Sequence, residues 1–154
     1  MSKNLYEVKA SIQVLKPVHE VFEAVADPAQ ITNYWISKSS GRMEENAKLL
    51  WGFPEFDGEF PVQIGKVIKD ELLTFYWEAE GGGKHVVEIT FRKYKDTATV
   101  VYVTEKPSDG ADPGTDWLTG NTEGWANFLA CLKAWAEYGV NLRKGAFDYR
   151  FENM

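Results

Sequence analysis

The sequence predicts an α+β domain in which an antiparallel sheet of six to seven strands packs against a long C-terminal helix. Three observations predict it: period-two alternation over most of the chain, two short helical segments after the first strand, and one long amphipathic segment near the C-terminus. The predicted order is one strand, two helices, six strands and the long helix. With 154 residues and no linker-like stretch, the chain predicts a single domain, 1–154, in which residues 140–154 form a tail.

The first strand is predicted over Leu5 to Leu15, where apolar and polar residues alternate. Lys16-Pro17 ends it, because proline holds the preceding residue extended and itself suits the first turn of a helix. Asp27-Pro28 repeats this signal before a second short helix. The apolar sides of the two helices consist of Val18, Val21, Phe22 and Val25 in the first and Ile31, Tyr34 and Trp35 in the second.

Six further strands are predicted between residues 41 and 105. Their ranges are Gly41 to Glu44, Lys48 to Phe53, Glu59 to Ile68, Leu72 to Glu78, His85 to Lys93 and Thr97 to Glu105. The links between them are short and rich in turn residues, as in Asp57-Gly58 and the glycine run 81–83. Short links favour antiparallel neighbours, since a parallel crossover needs a dozen or more residues. Lys106 to Thr115 is predicted as a loop.

The long helix is predicted over Asn121 to Gly139. Its apolar residues recur at steps of three and four and so form one wide stripe, which consists of Trp125, Phe128, Leu129, Leu132, Trp135 and Ala136. Asn121 or Thr122 suits the N-cap, and Gly139 suits a left-handed C-cap. A stripe of this width needs a sheet face to cover it.

Composition excludes several classes of protein. Hydrophobic residues make up 44% of the chain and charged residues 26%, which is ordinary for a globular protein. A net charge of -6 and the absence of a basic stripe argue against nucleic acid and against an anionic membrane as partners. The apolar runs are too short for membrane insertion, for which about 20 residues are needed. Cys131 is the single cysteine, so a reducing cytoplasm is the expected location.

Several sequence pieces, in this order, resemble the SRPBCC or START-like helix-grip superfamily. They are 16–25 with Tyr34-Trp35, 72–77, 86–91 and Gly124-Trp125 at the start of the helix. The chain most resembles bacterial homologues of the C-terminal domain of the activator of the heat-shock chaperone ATPase. The resemblance implies a curved sheet that grips the long helix around a cavity. One departure is Glu44 to Ala47, where many relatives have a Gly-Gly turn, and no role attaches to the segments 51–57 and 141–150.

The resemblance also implies which side chains meet a ligand. Trp35, Trp51, Trp77 and Trp125 fall at positions where large rings either fill the core or line the cavity. The predicted ligand-binding residues are Trp35, Trp51, Phe53, Ile64, Phe75, Trp77, Ile89, Trp125, Phe128, Leu129 and Leu132. Tyr76, Tyr102 and Glu88 are candidate polar groups if their strands turn that face inward.

Catalytic and metal-binding patterns are weak. Cys131 lies in the helix and is interpreted as a buried structural thiol, and His19 and His85 are interpreted as solvated surface residues. Acidic residues in and beside predicted turns are interpreted as solvated charges, and they are Glu44, Glu45, Glu55, Asp57 and Glu59. No catalytic residue, metal site or cofactor is therefore predicted.

Three hypotheses of function remain open. The first, which the aromatic sheet face favours, is a non-enzymatic protein that binds a small hydrophobic molecule, aromatic or lipid-like, between the sheet and the helix. The second, which the resemblance implies, is a cofactor-independent enzyme of the polyketide cyclase, dehydratase or hydrolase type. It requires a buried acid, base or tyrosine in the cavity. The third is a module that interacts with a chaperone, which only the resemblance and the tail after Gly139 suggest.

Overall fold

The predicted fold class is confirmed. The structure, a computed structural model, describes residues 6–79 and 83–151. Within them, the seven strands form one antiparallel sheet with the order β1-β7-β6-β5-β4-β3-β2. The long helix follows the last strand, and two short helices follow the first, as the sequence predicts.

The strands are β1 (Val8–Val14), β2 (Lys38–Ser39), β3 (Lys48–Gly52), β4 (Phe60–Ile68), β5 (Leu72–Glu78), β6 (Lys84–Tyr94) and β7 (Ala98–Pro107). The helices are α1 (Val18–Ala26), α2 (Pro28–Ile31) and α3 (Thr115–Tyr138), and a 3-10 turn covers Asp148–Arg150. Nowhere in 6–79 and 83–151 does a helix combine the length and the apolar character needed to cross a bilayer.

The two short helices start where proline punctuates the chain. Pro17 is extended and stands at the N-cap of α1, and Pro28 opens α2. The side chain of Asp27 caps α2, because its Oδ1 accepts a hydrogen bond from the Ala29 amide at 2.9 Å. Tyr34 then returns to α1, where its hydroxyl donates to the Ala24 carbonyl oxygen at 2.9 Å. Burial raises the pKa of Tyr34 well above its ordinary value.

The core lies between one face of the sheet and α3. Alternate residues of β6 are buried, as period two requires, and Leu73 and Phe75 of β5 lie beside them. The edge strand β1 contacts α3, since Lys133 donates to the Gln13 carbonyl oxygen at 2.8 Å. The buried residues of α3 are Trp125, Phe128, Leu129, Cys131 and Leu132.

Two element boundaries predicted from sequence are wrong. The helix α3 begins at Thr115, inside the predicted loop and six residues before Asn121, because Trp117 and Leu118 extend the apolar stripe onto the core. The strand predicted at Gly41 to Glu44 is also wrong, and β2 lies earlier, at Lys38–Ser39. Met43 cannot join the sheet there, because its amide donates to the Ala26 carbonyl oxygen of α1 at 3.1 Å.

The turn Glu44 to Ala47 contains a residue in the left-handed conformation. Asn46 has a φ of 68°, a conformation that asparagine adopts more readily than most residues. At the other end of the chain Gly139 has a φ of 67° and forms the predicted left-handed C-cap of α3. The predicted glycine-rich hairpin tip lies largely outside the described residues, which resume at Gly83.

The pair of Glu23 in α1 and Arg42 makes a pH-dependent contribution to stability. Two bonds of 2.7 Å join the guanidinium to the carboxylate, and this hydrogen bonding lowers the pKa of Glu23. Because the folded pKa lies below the unfolded value of about 4.3, the contribution is present above that pH and is lost as pH falls through the folded pKa.

We expect Arg42→Gln to lower the free energy of unfolding by no more than about 1 kcal/mol at pH 6, since the pair is partly solvated. Urea unfolding between pH 6 and pH 3 should show the difference from the parent shrinking below pH 4.5, and a constant difference would contradict this account.

Candidate functional site

A cleft opens under the N-terminal half of α3, where the helix faces β3, β5 and the segment after α2. Its volume is about 180 Å³. Its walls are mostly aromatic, and two polar side chains border it. The lining residues are Trp35, Phe53, Trp77, Asn121, Gly124, Trp125 and Arg143.

Trp35 is the centre of the aromatic wall. It lies four residues after α2, and its ring centroid is 5.5 Å from that of Phe53 and 5.2 Å from that of Trp125. On its other side the ring packs edge-on against Phe128 at 4.6 Å, inside the core. Edge-to-face and tilted contacts of this kind hold rings in defined orientations. The cleft is therefore bordered by rings that the core keeps in place.

A buried carboxylate fixes the polar side of this wall. Glu105, near the end of β7, has no exposed surface. Its Oε2 accepts bonds from Trp77 Nε1 at 3.0 Å and from His85 Nδ1 at 3.1 Å. Its Oε1 accepts bonds from Trp125 Nε1 at 2.7 Å and from Asn121 Nδ2 at 3.0 Å. Each oxygen thus accepts two hydrogen bonds, which suits the acceptor-only character of a carboxylate.

The alternation of β7 places Glu105 inside. Val101, Val103 and Glu105 share the inner face, and Glu105 stands opposite Val87 of β6 and Val8 of β1. The register brings donors from β5 and β6 beside the carboxylate. Asn121 and Trp125 are four residues apart in α3 and so lie on the same helical face. One carboxylate thereby orients three of the residues that line the cleft.

His85 links this network to the start of α3. It is buried, and its ring meets that of Trp117 edge-on at 4.7 Å. Trp117 Nε1 is buried and has no hydrogen-bond partner among residues 6–79 and 83–151. The interpretation of His85 as a solvated surface residue is therefore wrong, because the register of β6 turns its side chain toward Glu105.

The C-terminal tail covers one side of the cleft. Arg143 forms two bonds of 2.9 Å with the carboxylate of Glu55, whose side chain is only 1% exposed. The guanidinium also lies over the ring of Phe53, 4.9 Å from its centroid. The interpretation of Glu55 as a solvated turn residue is thus wrong, since the tail buries it. The two segments without a role in the sequence, 51–57 and 141–150, contact each other here.

Further contacts hold the same tail in place. The ring of Phe151 lies 5.5 Å from that of Phe56, and Arg150 donates to Glu123 of α3 at 3.0 Å. The guanidinium of Arg150 also lies 4.7 Å from the ring centroid of Phe147. Unlike the pair of Arg143 and Glu55, the pair of Arg150 and Glu123 is largely exposed. The tail therefore has one buried anchor beside the cleft and one solvated anchor away from it.

The structure divides the predicted ligand-binding residues into two groups. Trp35, Phe53, Trp77 and Trp125 line the cleft. The remaining predicted residues lie in the packed core and do not line it, and they are Trp51, Ile64, Phe75, Ile89, Phe128, Leu129 and Leu132. These side chains fill the space under the middle of α3, and the cleft lies toward the N-terminal end of the helix.

The other candidate groups lie away from the cleft. Glu88 and Tyr102 are exposed, and Tyr76 is half-buried on the same outer side of the sheet. Burial raises the pKa of the Cys131 thiol, in keeping with a structural role. His19 is exposed and pairs with Asp70 at 2.9 Å. Across the part of the chain that the structure describes, no cluster of potential metal ligands occurs.

The sequence did not identify Glu105, Asn121 or Arg143 as site residues, and Asn121, a predicted N-cap, lies inside α3, whose N-cap is Gly114. A signal for Glu105 was present, since period two places it on the same face as Val101 and Val103. A charged residue at a predicted inward position is unusual and indicates buried partners. Nothing comparable marks Arg143, whose partner Glu55 lies 88 residues earlier.

Solved structures and a protein-family model match this chain. No curated protein matches the chain significantly. The crystal structure of SSP2350 from Staphylococcus saprophyticus is 35% identical, with a TM-score of 0.78 over 89% of this chain and 96% of that one. DynU16, from the dynemicin biosynthetic locus, is 24% identical with a TM-score of 0.77, over 87% of this chain but only 48% of its own.

A third similar structure is the Aha1 dimer from Colwellia psychrerythraea. It is 16% identical, with a TM-score of 0.74 over 88% of this chain and 98% of that one, a likeness of fold. Residues 16–137 match the family described as Activator of Hsp90 ATPase homolog 1-like protein. That match covers all elements from α1 to the last turn of α3. The chain therefore belongs to the Activator of Hsp90 ATPase homolog 1-like protein family.

Proposed function

We propose that this protein binds a small aromatic molecule in the cleft under the N-terminal half of α3. The observation that carries the proposal is a concave, mostly aromatic surface in which Trp77 and Trp125 are fixed by hydrogen bonds to Glu105. Small-molecule sites are typically concave and apolar with a few placed polar groups. Preorganised rings also lose little conformational freedom when a ligand stacks on them.

Binding is favoured over catalysis by the state of the buried carboxylate. Glu105 has four hydrogen-bond donors and is bonded to the cleft walls rather than lining the cleft. A general acid or base has to reach the reacting atoms, within about 3 Å or through one water. In this arrangement Glu105 acts as a positioning residue.

The location that fits is the cytoplasm, because the single cysteine is a buried free thiol.

Two glycines of α3 allow a matched test. Gly124 lines the cleft, whereas Gly120, one turn earlier, does not, and a Cβ at either position meets no atom within 4 Å. Both Gly124→Leu and Gly120→Leu improve helix propensity, by about 1 kcal/mol each. We therefore expect both variants to fold and only Gly124→Leu to lose binding, by tenfold or more.

The measurement is a titration followed by tryptophan fluorescence, since Trp35, Trp77 and Trp125 border the cleft. The probes are p-cresol, 1-naphthol, flavone and decanoate, which differ in ring number and in aromatic character. The proposal expects at least one aromatic probe to bind with a submillimolar Kd in the parent and in Gly120→Leu. Binding of no probe below the millimolar range, or equal binding by both leucine variants, would overturn it.

A further inference from the structure

The cleft has the size of one ring. A cavity of about 150 Å³ holds a benzene molecule, whereas sites for drug-sized ligands measure about 300–1,000 Å³. The cleft, at about 180 Å³, belongs with the former. Enlargement toward the core is blocked by Phe128, which is fully buried and packs against Trp35.

Two polar side chains face this ring-sized space. Arg143 uses Nε and Nη2 for its pair with Glu55, and Nη1 takes no part in that pair. Asn121 donates to Glu105 through Nδ2, and that bond does not use its Oδ1. A guanidinium N–H suits a ligand oxygen that accepts, and an amide oxygen suits a ligand hydroxyl that donates.

The charge balance beside the cleft disfavours an anionic ligand. Glu55 already neutralises Arg143 through a bidentate pair that is almost fully buried on the carboxylate side. Glu105 is a second buried carboxylate, held behind two of the walls. A ligand carboxylate would enter a partly desolvated site in which the one guanidinium is already paired with Glu55, which is costly. A neutral polar group meets no such penalty.

Resting on the proposed function, we infer that the ligand is a neutral single-ring aromatic molecule with a hydroxyl or carbonyl oxygen, for which Arg143 supplies the polar selectivity. The ring packs against the sides of Trp35, Trp77 and Trp125 that border the cleft, and its oxygen meets the tail. The residues 141–150 then have a role beyond covering the cleft, because they contribute the residue that distinguishes a phenol from a plain hydrocarbon.

The test compares ligands of one ring that differ only in polar group, by tryptophan fluorescence on the full chain. The probes are p-cresol, toluene and p-toluate, with flavone and decanoate as larger molecules. We expect p-cresol to bind with a Kd on the order of 100 µM, in keeping with the affinity per atom that small ligands reach. Toluene and p-toluate should bind at least tenfold more weakly, and flavone and decanoate more weakly still.

A double variant tests the role of Arg143 without leaving a buried charge unpaired. Glu55→Leu/Arg143→Met removes both partners together, a change that buried ion pairs often tolerate. We expect its ratio of toluene to p-cresol Kd to fall from at least ten to about one. The matched control is Glu123→Leu/Arg150→Met, which removes the solvated pair of the same tail and should keep the ratio of the parent. Glu55→Gln/Arg143→Gln, which replaces the ion pair with two amides and so retains hydrogen-bonding capacity, should give an intermediate ratio.

The outcomes separate this inference from the proposed function. If flavone or 1-naphthol binds tightly while p-cresol does not, the inference is wrong and the proposed function stands. If toluene binds as tightly as p-cresol, or if both double variants keep the same ratio, Arg143 does not select the ligand. If no probe binds, both the inference and the proposed function are wrong.

Discussion

Replacing Glu105 with alanine is expected to destabilise the protein by about 3–5 kcal/mol, because it leaves buried hydrogen-bond donors without a partner. Trp77, His85, Asn121 and Trp125 all direct an N–H group at this carboxylate. Each buried donor left without a partner costs about 1–3 kcal/mol, and water entering the vacated space recovers part of that total. Urea unfolding measures the loss, and near-ultraviolet circular dichroism reports whether the indoles keep fixed orientations.

Two further variants make this result specific. Glu105→Gln keeps the side-chain volume but replaces one oxygen with an NH₂ group that faces two donors, so we expect a loss of about 2 kcal/mol or more. Glu88→Gln is the matched control, since Glu88 is exposed on the adjacent strand β6. We expect it to leave the urea midpoint nearly unchanged. A loss below about 1 kcal/mol for Glu105→Ala would mean that the network does not stabilise the fold.

The architecture could be predicted because its signals are local. Period two in β6 identifies Val87, Ile89 and Phe91 as inward residues, and all three are buried. Gly139 ends α3 where a left-handed cap was expected. The start of α3 could not be found in the same way, since the segment before Asn121 contains Gly120 and follows a loop rich in proline and glycine. There, tertiary packing of Trp117 and Leu118 overrides local propensity.

The site could be predicted only in part, for a related reason. The aromatic walls could be predicted from the family resemblance, which implies inward or cavity-mouth positions for Trp35, Trp77 and Trp125. The polar network depends on pairs far apart in sequence, such as Trp77 with Glu105 at 28 residues and Arg143 with Glu55 at 88. Such pairs depend on strand register and on the path of the tail, which no local pattern encodes. Of the polar network, only the inward position of Glu105 could be predicted from the sequence.

Replacing Phe128 with alanine is expected to cost about 3–5 kcal/mol and to extend the cleft into the core. Phe128 is fully buried and packs against two cleft residues, Trp35 at 4.6 Å and Trp125 at 5.3 Å. The void left by its ring is apolar, so an apolar ligand of two rings should occupy it and restore part of the stability in proportion to its concentration. Thermal unfolding with and without naphthalene measures both effects.

The control for this prediction is Tyr138→Ala, because Tyr138 lies at the end of the same helix and is 73% exposed. It should change the unfolding midpoint little, with or without naphthalene. In the parent the filled core excludes a second ring, so naphthalene should raise the midpoint of Phe128→Ala alone. An equal rise in the parent would show that the native cleft already accepts two rings. In that case the packing of Phe128 does not limit the size of the ligand.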